Sequence, residues 1–254
     1  MISNTLKLDY IIMMANNWEF DNNDVHIARG ILVNYNEIPN YSLHTLIEKL
    51  HVSKQAFKKF YEQLGYHSYS EFKEDILFTK VVRKKQFMDR YRKLDLKHNI
   101  RIIEQFNNEK IDLNMIHSIC EEIYNADKVI FYGSPTLVTK LLDFQLDMLI
   151  FGKTVITSST NDKKVIKPNE KDIICICSST GRIFKLCKTE MKRDVLHSNN
   201  KKILFCKTYT YNQDIDYVIE TKTENDYFEM QYIYLFYLDL ILVKYYERYI
   251  KKKR

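Results

Sequence analysis

Between residues 127 and 220, five short runs of β-branched and aliphatic residues recur, and helical stretches separate most of them. They are Asp127–Gly133, Lys153–Thr157, Lys171–Ser178, Lys201–Lys207 and Asp216–Glu220. Each opens on a polar residue and is apolar within, with no alternation that would leave one face to water. Strands of that kind are buried on both faces. Alternation with helical stretches, such as Thr136–Phe151 and Arg182–Leu196, predicts a parallel sheet between helical layers. In sheets of this class ligands bind outside the carboxyl ends of the strands.

Two strand-end loops carry hydroxyls at that edge. The first strand runs into Gly133-Ser134-Pro135-Thr136 and the third into Ser178-Ser179-Thr180-Gly181, each ahead of a helix. Hydroxyls and backbone N–H groups at the start of a helix cradle phosphate. They also cap helices in many proteins that bind nothing there, and both readings stand at this point. Pro135 has no N–H to donate, so the second loop is expected to supply most contacts, with Ser134 and Thr136 contributing less.

The first 78 residues show no period-2 strand. Ser42 caps a helix with Leu43, Leu46, Ile47 and Leu50 on one stripe, and a brief turn at His51-Val52 follows. Ser53 caps a second short helix with Ala56, Phe57, Phe60 and Leu64 inward, ended by Gly65 where a left-handed residue is wanted. Two short helices across so brief a turn form a helix-turn-helix. Its second helix turns Lys54, Gln55, Lys58 and Lys59 away from the core. That face suits a major groove, since glutamine pairs with adenine edges and lysine with guanine or phosphate. An ordinary helical hairpin with a polar outer face is the other reading.

Motif spacing carries a family resemblance. The run Val52-Ser53-Lys54-Gln55-Ala56-Phe57-Lys58-Lys59-Phe60, then Leu64-Gly65-Tyr66 and Tyr69-Ser70-Glu71-Phe72-Lys73, resembles the N-terminal domain of RpiR-family bacterial transcriptional regulators. It departs at Ala56, where threonine is usual, and at Lys59, where arginine is usual. The later order of strand, Gly-Ser loop, helix, strand, Ser-x-Thr-Gly loop and helix resembles a SIS (sugar isomerase) domain. Asp143-Phe144-Gln145 and Gly152-Lys153 add to that likeness.

The resemblance implies an all-α helix-turn-helix domain over residues 1–78, a basic helical linker over 79–108, and an α/β SIS domain over 109–254 with a Rossmann-like five-stranded parallel sheet. It implies a cytoplasmic transcriptional regulator of sugar metabolism. The implied DNA-binding residues are Ser53, Lys54, Gln55, Lys58 and Lys59. The implied phosphosugar-binding residues are Ser134, Thr136, Ser178, Ser179, Thr180 and Gly181. The implied partners are a double-stranded DNA operator, a phosphosugar effector and a second copy of the chain. A SIS-fold sugar-phosphate isomerase, and a DNA-binding protein whose SIS domain only dimerises, are the alternatives.

Charge fits a polyanionic partner, and it fits a solvated linker helix at least as well. The net charge is +6, and residues 76–101 hold nine basic side chains against Asp89 and Asp95. The five cysteines are odd in number and lack C-x-x-C spacing, so a reducing compartment and no disulfide framework are expected. No H-E-x-x-H or Cys/His array predicts a metal, no Gly-rich phosphate motif predicts a nucleotide, and no G-x-S-x-G predicts a nucleophilic triad. No cofactor and no catalysis are expected. The apolar stretch Tyr232–Val243 is too short for a membrane span and contains Asp239. The last helix, Phe228–Ile250, is apolar nearly all round its middle; it packs wholly on its own sheet or shares one face across a two-fold axis, and the shared version is expected.

Overall fold

A computed structural model describes residues 5–16, 23–107, 109–160, 165–181, 183–209, 214–222 and 227–251. The described N-terminal residues form helices and no strand: α1 Thr5–Ala15, α2 Asn23–Asn34, α3 Leu43–Leu50, α4 Lys54–Gln63 and α5 Tyr69–Lys93. Two further helices, α6 Leu96–Asn107 and α7 Leu113–Asn125, lead into the sheet. Its strands are β1 Lys128–Gly133, β2 Thr154–Ser159, β3 Ile173–Cys177, β4 Lys202–Cys206 and β5 Tyr217–Glu220. All four pairings are parallel and the order is β2-β1-β3-β4-β5. A helical head with a helix-turn-helix, followed by an α/β unit on a parallel five-stranded sheet, is therefore observed as expected.

The strand interiors are buried, as continuous apolar runs require. Lysines at the amino ends of the strands tie the sheet to its helices. Lys153 Nζ donates to the Tyr124 and Ala126 carbonyls at the end of α7. Lys202 Nζ donates to the Ser198 and Asn200 carbonyls, at 2.6 and 3.1 Å. A buried ammonium at a chain turn meets the carbonyls that the turn leaves without partners, and those carbonyls offset its desolvation.

The helices depart from expectation in three places. Thr136–Phe151 is not one helix: α8 Pro135–Val138 passes through a 3₁₀ turn, Thr139–Leu141, into α9 Leu142–Ile150. Thr139 Oγ1 donates to the Pro135 carbonyl at 2.8 Å, a back-bond that competes with the regular ladder. Arg182–Leu196 is likewise broken, into α10 Ile183–Leu186, α11 Thr189–Met191 and a π turn, Lys192–Leu196. Lys188 interrupts it with extended backbone, ψ 156°; Arg182 lies outside the described residues.

The last helix, α12 Tyr227–Tyr245, continues as a π turn to Ile250. Met230, Ile233, Tyr234, Tyr237, Leu238 and Leu240–Val243 are all buried within the chain. Helices α7, α9 and α6 cover those positions, while Tyr232, Leu235, Phe236 and Asp239 leave one face of α12 at least partly open. The chain itself thus supplies several of the sides that an apolar helix needs, and the expected two-fold sharing concerns the face left open.

Residue 78, the expected end of the first domain, falls inside the 25-residue α5. The apolar core also runs on from Leu8 and Ile12 in α1, through Phe87 in α5, to Leu149 and Tyr246. Helix α9 is central to that continuity. Phe144–Ile150 are buried on every side, with β2 against one face and α1 and α5 against another.

Candidate functional site

The helix-turn-helix is α3, a turn and α4. Ser42 and Ser53 cap the two helices, accepting from Thr45 N at 3.0 Å and Ala56 N at 3.1 Å. His51 takes the left-handed conformation, φ 53°, and Val52 N–H returns to the Ile47 carbonyl at 3.1 Å. These bonds satisfy the last carbonyls of α3 and turn the chain sharply. Gly65, φ 78°, closes α4 as expected. Phe57, Phe60 and Tyr61 bury the inner face of α4, while Ala56 is only half-buried. Phe57 meets Phe72 of α5 edge to face at 5.8 Å between centroids, which fixes α4 on the start of α5.

That anchoring decides what faces out. Lys54, Gln55, Lys58 and Lys59 are all exposed on one side of α4. Lys58 reaches Glu62 at 3.5 Å, an exposed pair that a phosphate can displace at little cost. Ser53 is exposed too, but its Oγ lone pair serves the cap, so toward a ligand it offers chiefly its hydroxyl hydrogen.

The second locus lies at the carboxyl edge of the sheet. From β1 the chain passes to β2 on one side, then crosses to β3 on the other. The crevice outside β1 and β3 is thus the topological switch point, where sheets of this order bind ligands. Gly133 and Cys177 are register partners, so the two hydroxyl loops leave adjacent strand ends. A Cβ on Gly133 would meet the Cys177 carbonyl oxygen at 2.8 Å, so only glycine admits that approach.

The two loops use their hydroxyls differently. Ser178 is buried, and its Oγ accepts from Ile183 N at 3.4 Å, a capping contact. Ser134 stands at the N-cap of α8 without a side-chain capping bond, and Thr136 is exposed one residue past Pro135. Ser179 is half-buried and Thr180 exposed; Gly181 turns the chain with φ 65°. All six expected residues thus stand at the same edge of β1 and β3. Helices α8 and α10 are single turns, so hydroxyl and N–H donors, rather than a summed helix dipole, supply the attraction for an anion.

Leu137, Cys177, Phe205, Met230 and Tyr234 wall the space beneath the loops, with Ser179 at its rim. The cavity left there is ≈ 10 Å³, room for about one water. A ligand at the switch point therefore sits outside the strand ends. Cys177 Sγ and Tyr234 Oη lie 3.1 Å apart in this wall. Burial pushes the Cys177 thiol up to about 12, against the opposing Tyr234 hydrogen bond. It is a neutral wall group rather than a nucleophile.

Two features escaped the sequence reading. Ser158 and Ser159 end β2 opposite Tyr132 and Gly133, and Thr160 N donates to the Gly133 carbonyl at 2.9 Å. The hydroxyl run Thr157–Thr160 after a β-branched strand was the available signal. The other feature is the seam behind α9. Asp147 is 1% exposed and takes Arg83 Nε at 2.8 Å together with Arg90; Arg83 Nη2 reaches Asp143 at 2.8 Å. Burial opposes the Arg83 charge, yet Asp147 and Asp143 hold its pKa above the ordinary arginine value. Asn16 and Gln145 exchange amide hydrogen bonds at 2.8 and 3.0 Å. Asn16 Oδ1 also accepts from Thr157 N at 3.2 Å, on the open edge of β2. Nothing in local spacing announces partners 129 residues apart.

Among the described residues no group of three or more His, Cys, Asp or Glu side chains is placed to hold a metal, and no helix is long and apolar enough to cross a membrane. No protein-family model matches the chain, and no curated protein matches it. Solved structures do. The Vibrio vulnificus NanR protein complexed with ManNAc-6P aligns over 99% of this chain and 94% of its own, at 15% identity and TM-score 0.42. A hypothetical protein aligns over 65% and 92%, at 14% identity and TM-score 0.46. A third, a hypothetical protein from Methanococcus jannaschii whose structure infers a 3-hexulose-6-phosphate isomerase function, aligns over 60% and 88%, at 16% identity and TM-score 0.44.

Proposed function

We propose that this chain is a DNA-binding transcriptional regulator of sugar-metabolism genes, with a SIS-type sheet that senses a phosphosugar. The observation that carries the reading is a conjunction within one chain. An exposed Lys54-Gln55-Lys58-Lys59 face on a capped second helix accompanies two hydroxyl loops side by side at the β1/β3 switch point. The first can follow a DNA groove and phosphate backbone. The second offers several hydroxyl and N–H donors to a sugar phosphate.

Residues Ser53, Lys54, Gln55, Lys58 and Lys59 contact the operator in this proposal. Ser134, Thr136, Ser178, Ser179, Thr180 and Gly181 hold the effector. A homodimer working in the cytoplasm completes it. The physical link is α9. It follows the Ser134 loop through α8 and carries Asp143, Gln145 and Asp147, which α5 and α1 grip from the head. An effector that favours one seating of α8 and α9 biases how the head is held, and so its DNA affinity. The isomerase alternative needs a positioned acid or base beside the sugar carbons.

The test has two arms on the full chain. Selection from a library of genomic fragments is expected to enrich a defined site whose affinity falls steeply with salt. A panel of sugar phosphates is expected to contain at least one that raises the melting temperature. Failure of selection removes the DNA arm, and no thermal shift from any sugar phosphate removes the sensing arm. Turnover of an aldose or ketose phosphate would replace the proposal with an enzyme.

A further inference from the structure

Among the described residues, three exposed large apolar side chains lie together on α5. Leu77, Phe78 and Val81 of α5 are 46%, 56% and 68% exposed. Positions 77, 78 and 81 fall on one face of a helix, and Glu74, Lys84 and Lys85, all exposed, share it. The opposite face holds Phe72, Ile76, Thr79, Arg83 and Phe87 against the head core and α9. Helix α5 is thus amphipathic inward and carries a second apolar stripe outward, flanked by acid at one end and base at the other.

That arrangement is self-complementary. If two copies of α5 lie antiparallel about a two-fold axis at the level of Thr79 and Lys80, Phe78 meets the partner's Val81. The same axis sets Glu74 opposite the partner's Lys85, and each contact occurs twice. A parallel pairing would put like charges together and lose both contacts. From this charge and apolar pattern we infer that the outer stripe of α5 is the face on which a second copy of the chain docks, antiparallel. The inference does not rest on the DNA or sugar-phosphate reading.

Sedimentation equilibrium of the full chain tests it, with no DNA or sugar phosphate present. The parent is expected to be a dimer at micromolar concentration. Val81→Glu, at an exposed position, is expected to weaken dimerisation on the order of 100-fold with unchanged melting of the monomer. Glu74→Lys is expected to weaken it about tenfold, and adding Lys85→Glu to Glu74→Lys to restore it. A parent that stays monomeric at 100-fold higher loading overturns the inference, as does a Val81→Glu protein that dimerises like the parent. A double charge reversal that fails to restore the dimer overturns the antiparallel register.

Discussion

The helical head and the parallel sheet place their polar chemistry by opposite rules. In the head, a two-sided helix buries one face and leaves the other wet, so α4 displays Lys54, Lys58 and Lys59 outward. In the sheet the strand interiors face protein on both sides, and polar chemistry is confined to the strand ends and the loops beyond them. One region can therefore lose a surface residue without structural cost, whereas the other mixes binding with capping in the same few residues. Helix α9 belongs to neither rule. It is wrapped on all sides and carries carboxylate and amide groups where the two regions meet.

The largest effect is expected at that meeting place. Asp147→Ala leaves Arg83, only 11% exposed, without its main partner. Loss of one member of a buried ion pair costs about 3–5 kcal/mol, read as a lower urea midpoint. A cost below about 1 kcal/mol would show that the Arg83–Asp147 pair does not hold head and sheet together.

Next comes the exposed face of α4. Lys58→Glu with Lys59→Glu is expected to lower affinity for an enriched DNA site on the order of 100-fold. Both side chains are exposed, so the melting temperature is expected to move by little. An unchanged gel shift would mean that α4 does not face DNA.

The strand-end loops sharpen the contrast, because one has a capping bond and the other does not. Ser178→Ala is expected to cost about 1 kcal/mol of stability through the lost cap at Ile183 N. Ser134→Ala, with no capping bond to lose, is expected to leave stability alone and to reduce thermal stabilisation by a sugar phosphate. Thr180→Val is expected to reduce that stabilisation as well. Equal stability losses at Ser134 and Ser178 would erase the distinction between the loops.

The smallest effect is chemical. Cys120, Cys175, Cys177 and Cys206 are buried, so iodoacetamide at pH 8 is expected to label Cys187 first. Folding raises the Cys177 pKa from 9.0 to about 12. The folded state thus holds that proton longer, and its contribution to stability declines as pH rises from 9 toward 12. A flat stability profile across that range would contradict the buried neutral thiol.

The strands were readable because five apolar runs, each bounded by polar residues, can hardly be anything but a doubly covered sheet. Their observed ends lie within two residues of expectation: β3 starts two residues later, and β2 runs on through Ser158 and Ser159. The helix-turn-helix was readable from its serine caps and the stripe through Phe57 and Phe60. The breaks at Thr139 and Lys188 were not, since apolar periodicity continues across them while the backbone does not. Which neighbours bury α12 was not readable either, because periodicity shows that a helix is buried and is silent about what buries it. The grip of Arg83 and Arg90 on Asp147 lay hidden for a related reason: partners 64 and 57 residues apart meet only after folding.

In the proposed reading one chain both reads DNA and senses a sugar phosphate, with α9 between them. The most direct measurement is the affinity for an enriched operator fragment at fixed salt, with and without a saturating sugar phosphate that raises the melting temperature. A change of about 5–150-fold is predicted, the span of ordinary allosteric coupling, and it is expected to shrink toward unity in Asp147→Asn. An identical affinity with and without that ligand would contradict it.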